Sequence, residues 1–470
     1  MRLKIKRRNS WVMFASALLM AACAAQNQPV SAPTSTSLTI APPTATIAHT
    51  PTLPEPTPLA PELAQKTVAV DELKGLKISV AYPWVNEAGA SFEALVEEFN
   101  RTNEPGIVVV TRRLPGYSVM SEALLDGEIT EDLAIARGFD LAGIDDGQRW
   151  VNLADAPLIE GMSVLPEACS TCADYLDLDH QQRYVTLLYQ PALLVYNQSW
   201  AKELGFDNPP KTFVDLQEQM EAAAAKLLED NDYDNNGAGG LWLSLSPQSA
   251  LAWYCAFGGE LAGGDQPLQF NRETLEKAFV YLRTLRGEAG SWRAQNPTAY
   301  QYFVNRTAIT YEGGLEDILL QKAVGEVAGF NDQWVTIPYP TEDGMGSISL
   351  ETIGISIGSI KESSQAASAY FVRWLINEAR LEKLSEATGL WPAGGNPRQI
   401  AQEYAEKHPE WISALNPTVR ISVAPEANNW GISRLILQDA ALRVYSLDKE
   451  FFPAILNTLE ATLKEAWSAQ

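Results

Sequence analysis

Histidine and cysteine are scarce in this chain, and positive charge is outnumbered. Only three histidines and four cysteines occur among 470 residues, and one of the histidines, His49, lies in the tether described below. A zinc site built on histidines is therefore not expected. Lysine and arginine number 35 against 58 aspartates and glutamates, which gives a formal net charge of −23. So negative a chain lacks the basic surface that nucleic-acid binding requires, and we expect no nucleic-acid partner.

The apolar run nearest the start is too short to span a membrane and remain there. Trp11 to Ala22 has about a dozen residues, whereas a membrane-spanning helix needs about 20. Five positive charges precede this run, and Ala21–Ala22–Cys23 ends it. The arrangement is typical of a lipoprotein signal, although an ordinary cleaved signal with a coincidental cysteine is the alternative. We expect a signal peptide at 1–22 and lipidation of Cys23; removal of the five charges changes the net charge from −23 to −28.

Residues 23–66 have a different composition from the rest of the chain. Proline, threonine, serine and alanine dominate, and the apolar residues show no period. Such a segment cannot bury enough apolar surface to order itself, so it predicts a disordered tether. A glycosylated stalk is the alternative, and nothing in the sequence decides between them.

The remainder alternates strand and helix patterns. Its roughly 400 residues are long for one hydrophobic core, which predicts two lobes. Leu76–Tyr82 and Ile107–Thr111 read as strands, and a helical stripe that includes Phe92 and Phe99 lies between them. This alternation predicts a mostly parallel sheet covered by helices on both faces. Because ligands in such sheets bind beyond the carboxyl ends of strands, Tyr82 and the nearby Trp84 are candidate ligand contacts.

The stretch Tyr189–Phe213 carries the most informative pattern. Ala192–Tyr196 reads as a buried strand that ends at Asn197, and a short helix, a glycine and Pro–Pro–Lys–Thr follow. Thr212 and Asp215 are spaced as in a capping box at the start of the next helix. This order resembles the crossover segment of extracellular solute-binding proteins of family 1, the maltose-binding-like receptors of ABC importers.

Other segments resemble the same family in the same order, from about residue 76 to 393. They are the helix and strand at 92–110, Phe257–Leu261, Ala308–Gly314 and Ala387–Ala393. The segment Ala308–Gly314 ends in a glycine turn, and family members usually present an aromatic residue just after that turn. Leu315 stands there in this chain, so Tyr311 or Glu312 would have to compensate.

The resemblance implies an α/β fold with two lobes, of the type II periplasmic-binding-protein kind, in which each lobe is a mixed sheet flanked by helices. The N-terminal lobe would comprise 67–190 plus 345–385, and the C-terminal lobe 191–344 plus 386–470. Three crossings would join the lobes, near Leu188–Leu194, Pro338–Ile348 and Asn377–Leu390. A small solute, in this family most often a carbohydrate, would bind between them.

The resemblance also implies the partners and the location. The protein would deliver its solute to the permease subunits of an ABC transporter, as a monomer anchored by lipid to the outer face of the bacterial cytoplasmic membrane, or in the outer membrane or periplasm. No cofactor and no catalytic residue is expected. A receptor that feeds a sensor instead of an importer is an open alternative.

The candidate ligand-binding residues come from strand ends, family landmarks and aromatic positions. They are Tyr82, Trp84, Arg137, Asp140, Tyr189, Gln248, Trp253, Glu312 and Trp391. Arg137 and Asp140 lie in a loop expected after a strand at Asp132–Ala136, and a surface ion pair explains them equally well. Trp253 has the flat apolar face that stacks on sugars, but most of the thirteen tryptophans must serve the core.

Two short motifs leave alternatives open. Asp232, Asp234 and Asn236 match the first half of a calcium loop, but Leu243 stands where a bidentate acid belongs, which favours a plain turn. Cys169 and Cys172 form a C-x-x-C pair for which a structural disulfide is the preferred interpretation outside the cytoplasm. A bridge from one of the pair to Cys255, or a redox motif, is the alternative.

A hypothesis from another functional class starts from Gly354–Gly358, which satisfies the G-x-S-x-G pattern of hydrolases. Ser356 would be the nucleophile of a lipid-anchored hydrolase; an anchored glycosidase is a related alternative. The segment reads as strand throughout, and His408, the only later histidine, lies in a polar run. These features disfavour an enzyme.

Overall fold

The computed structural model describes residues 67–143, 149–153, 158–159, 183–260, 269–287, 289–294, 298–358, 361–393, 418–424 and 430–468. All belong to one compact unit, Glu62–Gln470. The predicted signal peptide and tether, Cys23, Cys169 and Cys172 lie outside these residues. Within them, no helix combines the length and the apolar composition that crossing a bilayer demands.

Twelve strands occur in the described residues. They are β1 (Thr67–Val68), β2 (Lys77–Tyr82), β3 (Val108–Arg113), β4 (Leu133–Arg137), β5 (Leu158–Ile159), β6 (Val185–Asn197), β7 (Gly239–Trp242), β8 (Ala308–Gly314), β9 (Trp334–Ile337), β10 (Ser347–Ile357), β11 (Trp391–Pro392) and β12 (Arg420–Val423).

Ten of these strands form one mixed sheet, whose main path is β3-β2-β4-β10-β6-β8-β7. At one end β2 pairs in parallel with β3 and β4, and at the other β7 pairs in parallel with β8. The long strands β6 and β10 lie between these ends and run antiparallel to each other and to their outer neighbours. The sheet is therefore mixed rather than mostly parallel, and β6 and β10 join its two halves.

Thirteen α-helices flank the sheet in the described residues. They are α1 (Asn86–Thr102), α2 (Tyr117–Leu125), α3 (Gly138–Gly143), α4 (Gln198–Glu203), α5 (Phe213–Leu228), α6 (Pro247–Ala256), α7 (Arg272–Thr284), α8 (Ala299–Val304), α9 (Glu316–Ala328), α10 (Glu362–Leu375), α11 (Glu378–Thr388), α12 (Trp430–Ser446) and α13 (Phe452–Ser468).

Side-chain caps set the start of several helices. The Thr212 hydroxyl accepts a hydrogen bond from the Asp215 N–H, and the Asp215 carboxylate accepts one from the Thr212 N–H, so the predicted capping box of α5 is confirmed. The Asn197 side chain accepts from the Trp200 N–H at the start of α4. One expectation fails here, because the segment after β4 is the short helix α3 rather than a loop.

Two large apolar clusters divide the core. The first, here the N cluster, includes Phe92, Phe99 and Ile353, and the second, the C cluster, includes Trp253 and Trp430. Strand β6 contributes to both, since alternate side chains of a strand point to opposite faces. The two cores agree with the length argument for two lobes.

The G-x-S-x-G segment is strand, as its apolar surroundings predict. Ser356 lies within β10, opposite Ala134 of β4, and is fully buried. A Cβ atom at Gly354 would overlap the ring of Tyr184, which gives this glycine a packing role. A hydrolase nucleophile needs a sharp turn between strand and helix, and Ser356 does not occupy one.

Candidate ligand-binding site

A pocket of about 770 Å³ opens where the two halves of the sheet meet. Its walls come from the end of β4, the middle of β6, the β7–α6 connection, the segment before and within α8, the β8–α9 turn, β10 and α12. The volume lies within the range of small-molecule sites. Polar groups from both halves of the chain converge on it.

Glu312 on β8 is the most firmly held side chain of the pocket. One carboxylate oxygen accepts from Trp253 Nε1 at 2.6 Å, and the other accepts from the N–H groups of Ser244 and Leu245, both at 2.8 Å, and from the Ser244 hydroxyl at 3.0 Å. Burial raises the pKa of Glu312, and these donors oppose that rise by favouring the charged form. The carboxylate is fixed in place before any ligand arrives.

The turn that holds Glu312 is itself strained. Leu245 is buried and has φ of +44°, in the left-handed region that bulky residues avoid. Its N–H donates to Glu312, and its carbonyl accepts from Gln438 Nε2 on α12 at 2.9 Å. Such a conformation costs about 1–3 kcal/mol and persists where surrounding contacts enforce it, most often at functional sites.

The β8–α9 turn brings two further carboxylates to the pocket. Glu316 and Asp317 occupy the first turn of α9, where the helix dipole favours negative charge. Asp317 accepts from the Gly314 N–H at 2.7 Å and from the Tyr300 hydroxyl, and Glu316 accepts from Gln190 Nε2. Burial raises the pKa of both acids, and the charge of Asp317 raises that of Glu316 further.

Two arginines, Arg137 and Arg434, also line the wall. Arg137 ends β4 and Arg434 lies on α12, and their guanidinium carbons lie 5.9 and 3.9 Å from the centre of the Phe139 ring. Glu351 of β10 is 3.6 Å from Arg434 and forms an ion pair with it. Burial lowers the pKa of Arg434, and the charge of Glu351 opposes that change.

Three of the predicted residues line this pocket: Arg137, Gln248 and Glu312. Gln248 donates from Nε2 to the backbone carbonyl of Gln190 at 2.8 Å, which ties α6 to β6 at the pocket wall. Asp140 lies behind Arg137 and accepts from the Ser121 hydroxyl at 2.5 Å. Burial raises the pKa of Asp140, with Ser121 and Arg137 acting in the opposite direction.

The predicted aromatic residues lie in the core and not in the pocket wall. All are at most 6% exposed; Trp253 belongs to the C cluster, and the others belong to the N cluster, namely Tyr82, Trp84, Tyr189 and Trp391. Aromatic rings bury more apolar area than most other side chains, and this burial stabilises the two core clusters. Trp253 acts on the pocket through its hydrogen bond to Glu312.

Sequence reasoning did not identify several residues of the pocket. They are Gln190, Trp242, Tyr300, Glu316, Asp317, Glu351 and Arg434. Glu316 and Asp317 had a readable signal, because two acids directly follow a strand that ends in Gly313–Gly314. Arg434 carries no such local signal, since only the packing of α12 brings it to the pocket.

The structure describes the Asp232–Asn236 segment and Cys255. At the calcium candidate, the Asp232 carboxylate accepts from the Asp234 N–H, and Asp230 accepts from the Asp232 N–H, so these acids stabilise a turn. A plain turn is the favoured prediction here, and calcium binding by Asp232, Asp234 and Asn236 stays the untested alternative. Cys255 is a buried free thiol in the structure, and because Cys169 and Cys172 lie outside the described residues, the pairing of the cysteines stays a prediction. Burial raises the pKa of Cys255 to about 12.

Comparisons with known proteins agree with this architecture. A family model described as bacterial extracellular solute-binding protein matches residues 94–407. No curated protein matches the sequence. The cyclic α-maltosyl-1,6-maltose binding protein from Arthrobacter globiformis has a TM-score of 0.68 at 15% identity, covering 84% of this chain and 100% of the other.

Two further solved structures give similar values. The GacH receptor of Streptomyces glaucescens has a TM-score of 0.65 at 16% identity, covering 83% of this chain and 98% of the receptor. The Thermus thermophilus maltotriose binding protein has a TM-score of 0.60 at 15% identity, with 83% and 99% covered. At these identities the likeness establishes the fold, a two-lobed α/β architecture.

Proposed function

Because this chain belongs to the family of bacterial extracellular solute-binding proteins, we propose that it captures a small carbohydrate in the pocket beside Glu312 and delivers it to the permease of an ABC importer. Members of this family act outside the cytoplasm and bind solutes, so the chain is an extracytoplasmic receptor and not an enzyme. The proposal concerns the ligand class, the site and the partner.

The main support for the proposal is that the pocket wall contains polar groups without hydrogen-bond partners. The hydroxyls of Tyr311 and Tyr339 are buried in the wall and have no hydrogen-bond partner within the described part of the chain. Buried polar groups are nearly always satisfied, and sugar hydroxyls both donate and accept. Trp242 and Tyr300 are partly exposed at the same wall and offer ring faces for stacking.

The ligands for which the similar structures are named support the same ligand class. The Arthrobacter globiformis protein is named for a cyclic maltosyl-maltose, GacH is described with acarbose, and the Thermus thermophilus protein is described with maltotriose. These are ligands of those proteins. Their identity to this chain is too low to fix which carbohydrate it takes.

Capture would involve closure of two lobes around the solute. We assign 67–190 plus 345–385 to the N-terminal lobe and 191–344 plus 386–470 to the C-terminal lobe, with crossings near Leu188–Leu194, Pro338–Ile348 and Asn377–Leu390. One refinement is proposed. Leu390 and Trp391 pack in the N cluster, which favours moving residues 386–393 to the N-terminal lobe.

The proposed anchor and assembly rest on the sequence. A lipid on Cys23 and the tether 23–66 would hold a monomeric receptor near its permease. An anchored receptor stays at the membrane, which raises the local concentration of solute-loaded protein for the importer.

The test is thermal unfolding of the purified protein with mono- and oligosaccharides, amino acids, polyamines and glycerol phosphates. A ligand at a hundredfold excess over its dissociation constant stabilises the folded state by about 2.7 kcal/mol, a shift of a few degrees. We expect a shift with one class of carbohydrate, reduced in Gln248→Ala and retained in the exposed helix control Glu326→Gln. A shift with only non-carbohydrate solutes would contradict the ligand class.

A further inference from the structure

The wall of the pocket contains more acidic than basic side chains. It contains four carboxylates, of Glu312, Glu316, Asp317 and Glu351, and three guanidinium groups, of Arg137, Arg293 and Arg434. Charges in a partly closed pocket interact more strongly than charges in water. A charged side chain that lacks a partner in the protein can therefore attract a ligand group of opposite charge.

Most of these charges have strong partners, and the Glu316–Asp317 pair does not. Glu351 pairs with Arg434, and Glu312 is held by four N–H and O–H donors. Glu316 and Asp317 accept hydrogen bonds from uncharged groups, and within the described residues neither forms an ion pair, so the charge of Arg137 acts on Glu316 without direct contact.

The oxygen atoms next to this pair are left without donors. Glu316 Oε2 and Gln190 Oε1 are buried and lack a hydrogen-bond partner in the described parts of the chain, although Gln190 is only 7% exposed. The Tyr311 hydroxyl, on a side chain that is 1% exposed, is equally unpartnered, and the charges of Glu316 and Asp317 act on it. Gln190, Tyr311 and Glu316 all line the pocket, and an ammonium group donates up to three hydrogen bonds.

Two glycines make room for this arrangement. A Cβ atom at Gly313 would lie 2.7 Å from Asp317 Oδ2, and one at Gly314 would overlap the Glu316 carboxylate. A larger residue at either position would require the facing carboxylate to move. The acids are therefore built into the wall and are not a chance cluster on a surface.

Resting on the proposed function, we infer that the solute is an amine-bearing carbohydrate, whose protonated amine binds between Glu316, Gln190 and Tyr311 while Asp317 adds negative charge. A charged donor would pair the carboxylates and satisfy the three free oxygens at once.

Two other ligand types fit less well. An anionic group is disfavoured because Glu316 and Asp317 occupy the N-terminal turn of α9, where an anion would otherwise bind. A metal ion is disfavoured because the residues that the structure describes contain no group of three acidic, histidine or cysteine side chains in metal-binding geometry.

Matched pairs of sugars test the inference by calorimetry. The glucosamine trimer is compared with cellotriose, and glucosamine with glucose; within each pair only amines and hydroxyls are exchanged. Spermidine serves as an amine without a sugar. We expect an amine-bearing sugar to bind about tenfold more tightly than its neutral partner, or more, which is the effect of one hydrogen bond to a charged group.

Two variants separate charge from fold. E316Q keeps the shape and removes the charge, and G314A keeps the charge and displaces the carboxylate. Both variants should lose the preference for the amine. The control variant E326Q should retain it, because Glu326 is exposed at the other end of α9. A preference that survives in folded E316Q would overturn the assignment to Glu316.

Proton release gives a second readout. Several titratable groups act on Glu316 from the surrounding elements; they are Asp317 on α9, Arg137 on β4, Tyr117 on α2, Tyr300 on α8 and Tyr311 on β8. Burial and Asp317 raise the pKa of Glu316, which favours the protonated form in the ligand-free protein. Binding an amine should expel this proton, and the calorimetric heat should depend on the ionisation enthalpy of the buffer.

The outcomes distinguish this inference from the proposed function. Equal or tighter binding of the neutral sugars would contradict the inference of an amine-bearing ligand and would still support a carbohydrate receptor. Binding of spermidine alone supports the ammonium site and contradicts the carbohydrate. Binding of no member of the panel overturns both.

Discussion

At the scale of single residues, Glu312 shows how a buried charge is made tolerable. Its carboxylate would be costly to bury alone, but four donors from Ser244, Leu245 and Trp253 surround it. The strained Leu245 supplies one of them. Sequence reasoning identified Glu312 and Trp253 as separate ligand contacts; the structure makes Trp253 a positioning residue for Glu312.

The first prediction concerns Glu312→Gln. An amide has only one acceptor oxygen, so its NH₂ group would face either Trp253 Nε1 or the two backbone N–H groups. Leaving a buried donor unsatisfied costs about 1–3 kcal/mol. We expect a lower urea midpoint with an unchanged slope, and no comparable change in Glu326→Gln. Equal midpoints for Glu312→Gln and the parent would mean that the donors find other partners.

At the scale of elements, local chemistry predicted the helices and strands well. The capping box at Thr212 and the strand predicted at Leu76–Tyr82, observed at Lys77–Tyr82, were readable because the residues that cause them are neighbours in the sequence. Strand β6 was harder. Its pattern predicted Ala192–Tyr196, yet it runs from Val185 to Asn197, because pairing with β10 and β11 extends it.

The second prediction tests the capping box of α5. Thr212→Ala removes the hydroxyl that accepts the Asp215 N–H, and such a loss typically costs about 1 kcal/mol. Chemical denaturation measures the change. Thr458→Ala is the matched control, since its exposed hydroxyl donates to the Ala454 carbonyl within α13 and caps nothing. Similar losses in the two variants would show that the cap contributes little.

At the scale of the whole molecule, the site joins distant parts of the chain. Arg137, Gln190, Glu312 and Arg434 come from four elements spread over about 300 positions. Folding buries carboxylates in this site, and burial of an ionised carboxylate lowers the free energy of unfolding. That cost has a measurable dependence on pH.

The third prediction is this pH dependence of stability. The folded state raises the pKa of Glu316 from 4.5 to about 8, so between these values the folded state binds more protons than the unfolded state. The free energy of unfolding therefore decreases as pH rises through this range.

The variant E316Q isolates the effect, because glutamine does not titrate. Its stability relative to the parent should increase from pH 4.5 to pH 8, as measured by urea unfolding at several pH values. A constant difference between the two proteins across that range would show that the folded state does not perturb Glu316.

The sequence by itself determined the capping box of α5, the central strands of the sheet, the order of family landmarks and the expectation of two cores. Each follows from chemistry between near neighbours or from chain length. Tertiary structure alone decided which side chains face the pocket. Trp391 is buried while Tyr300 is partly exposed, and Arg434 meets Phe139 across 295 positions, because exposure depends on what distant elements pack against each residue.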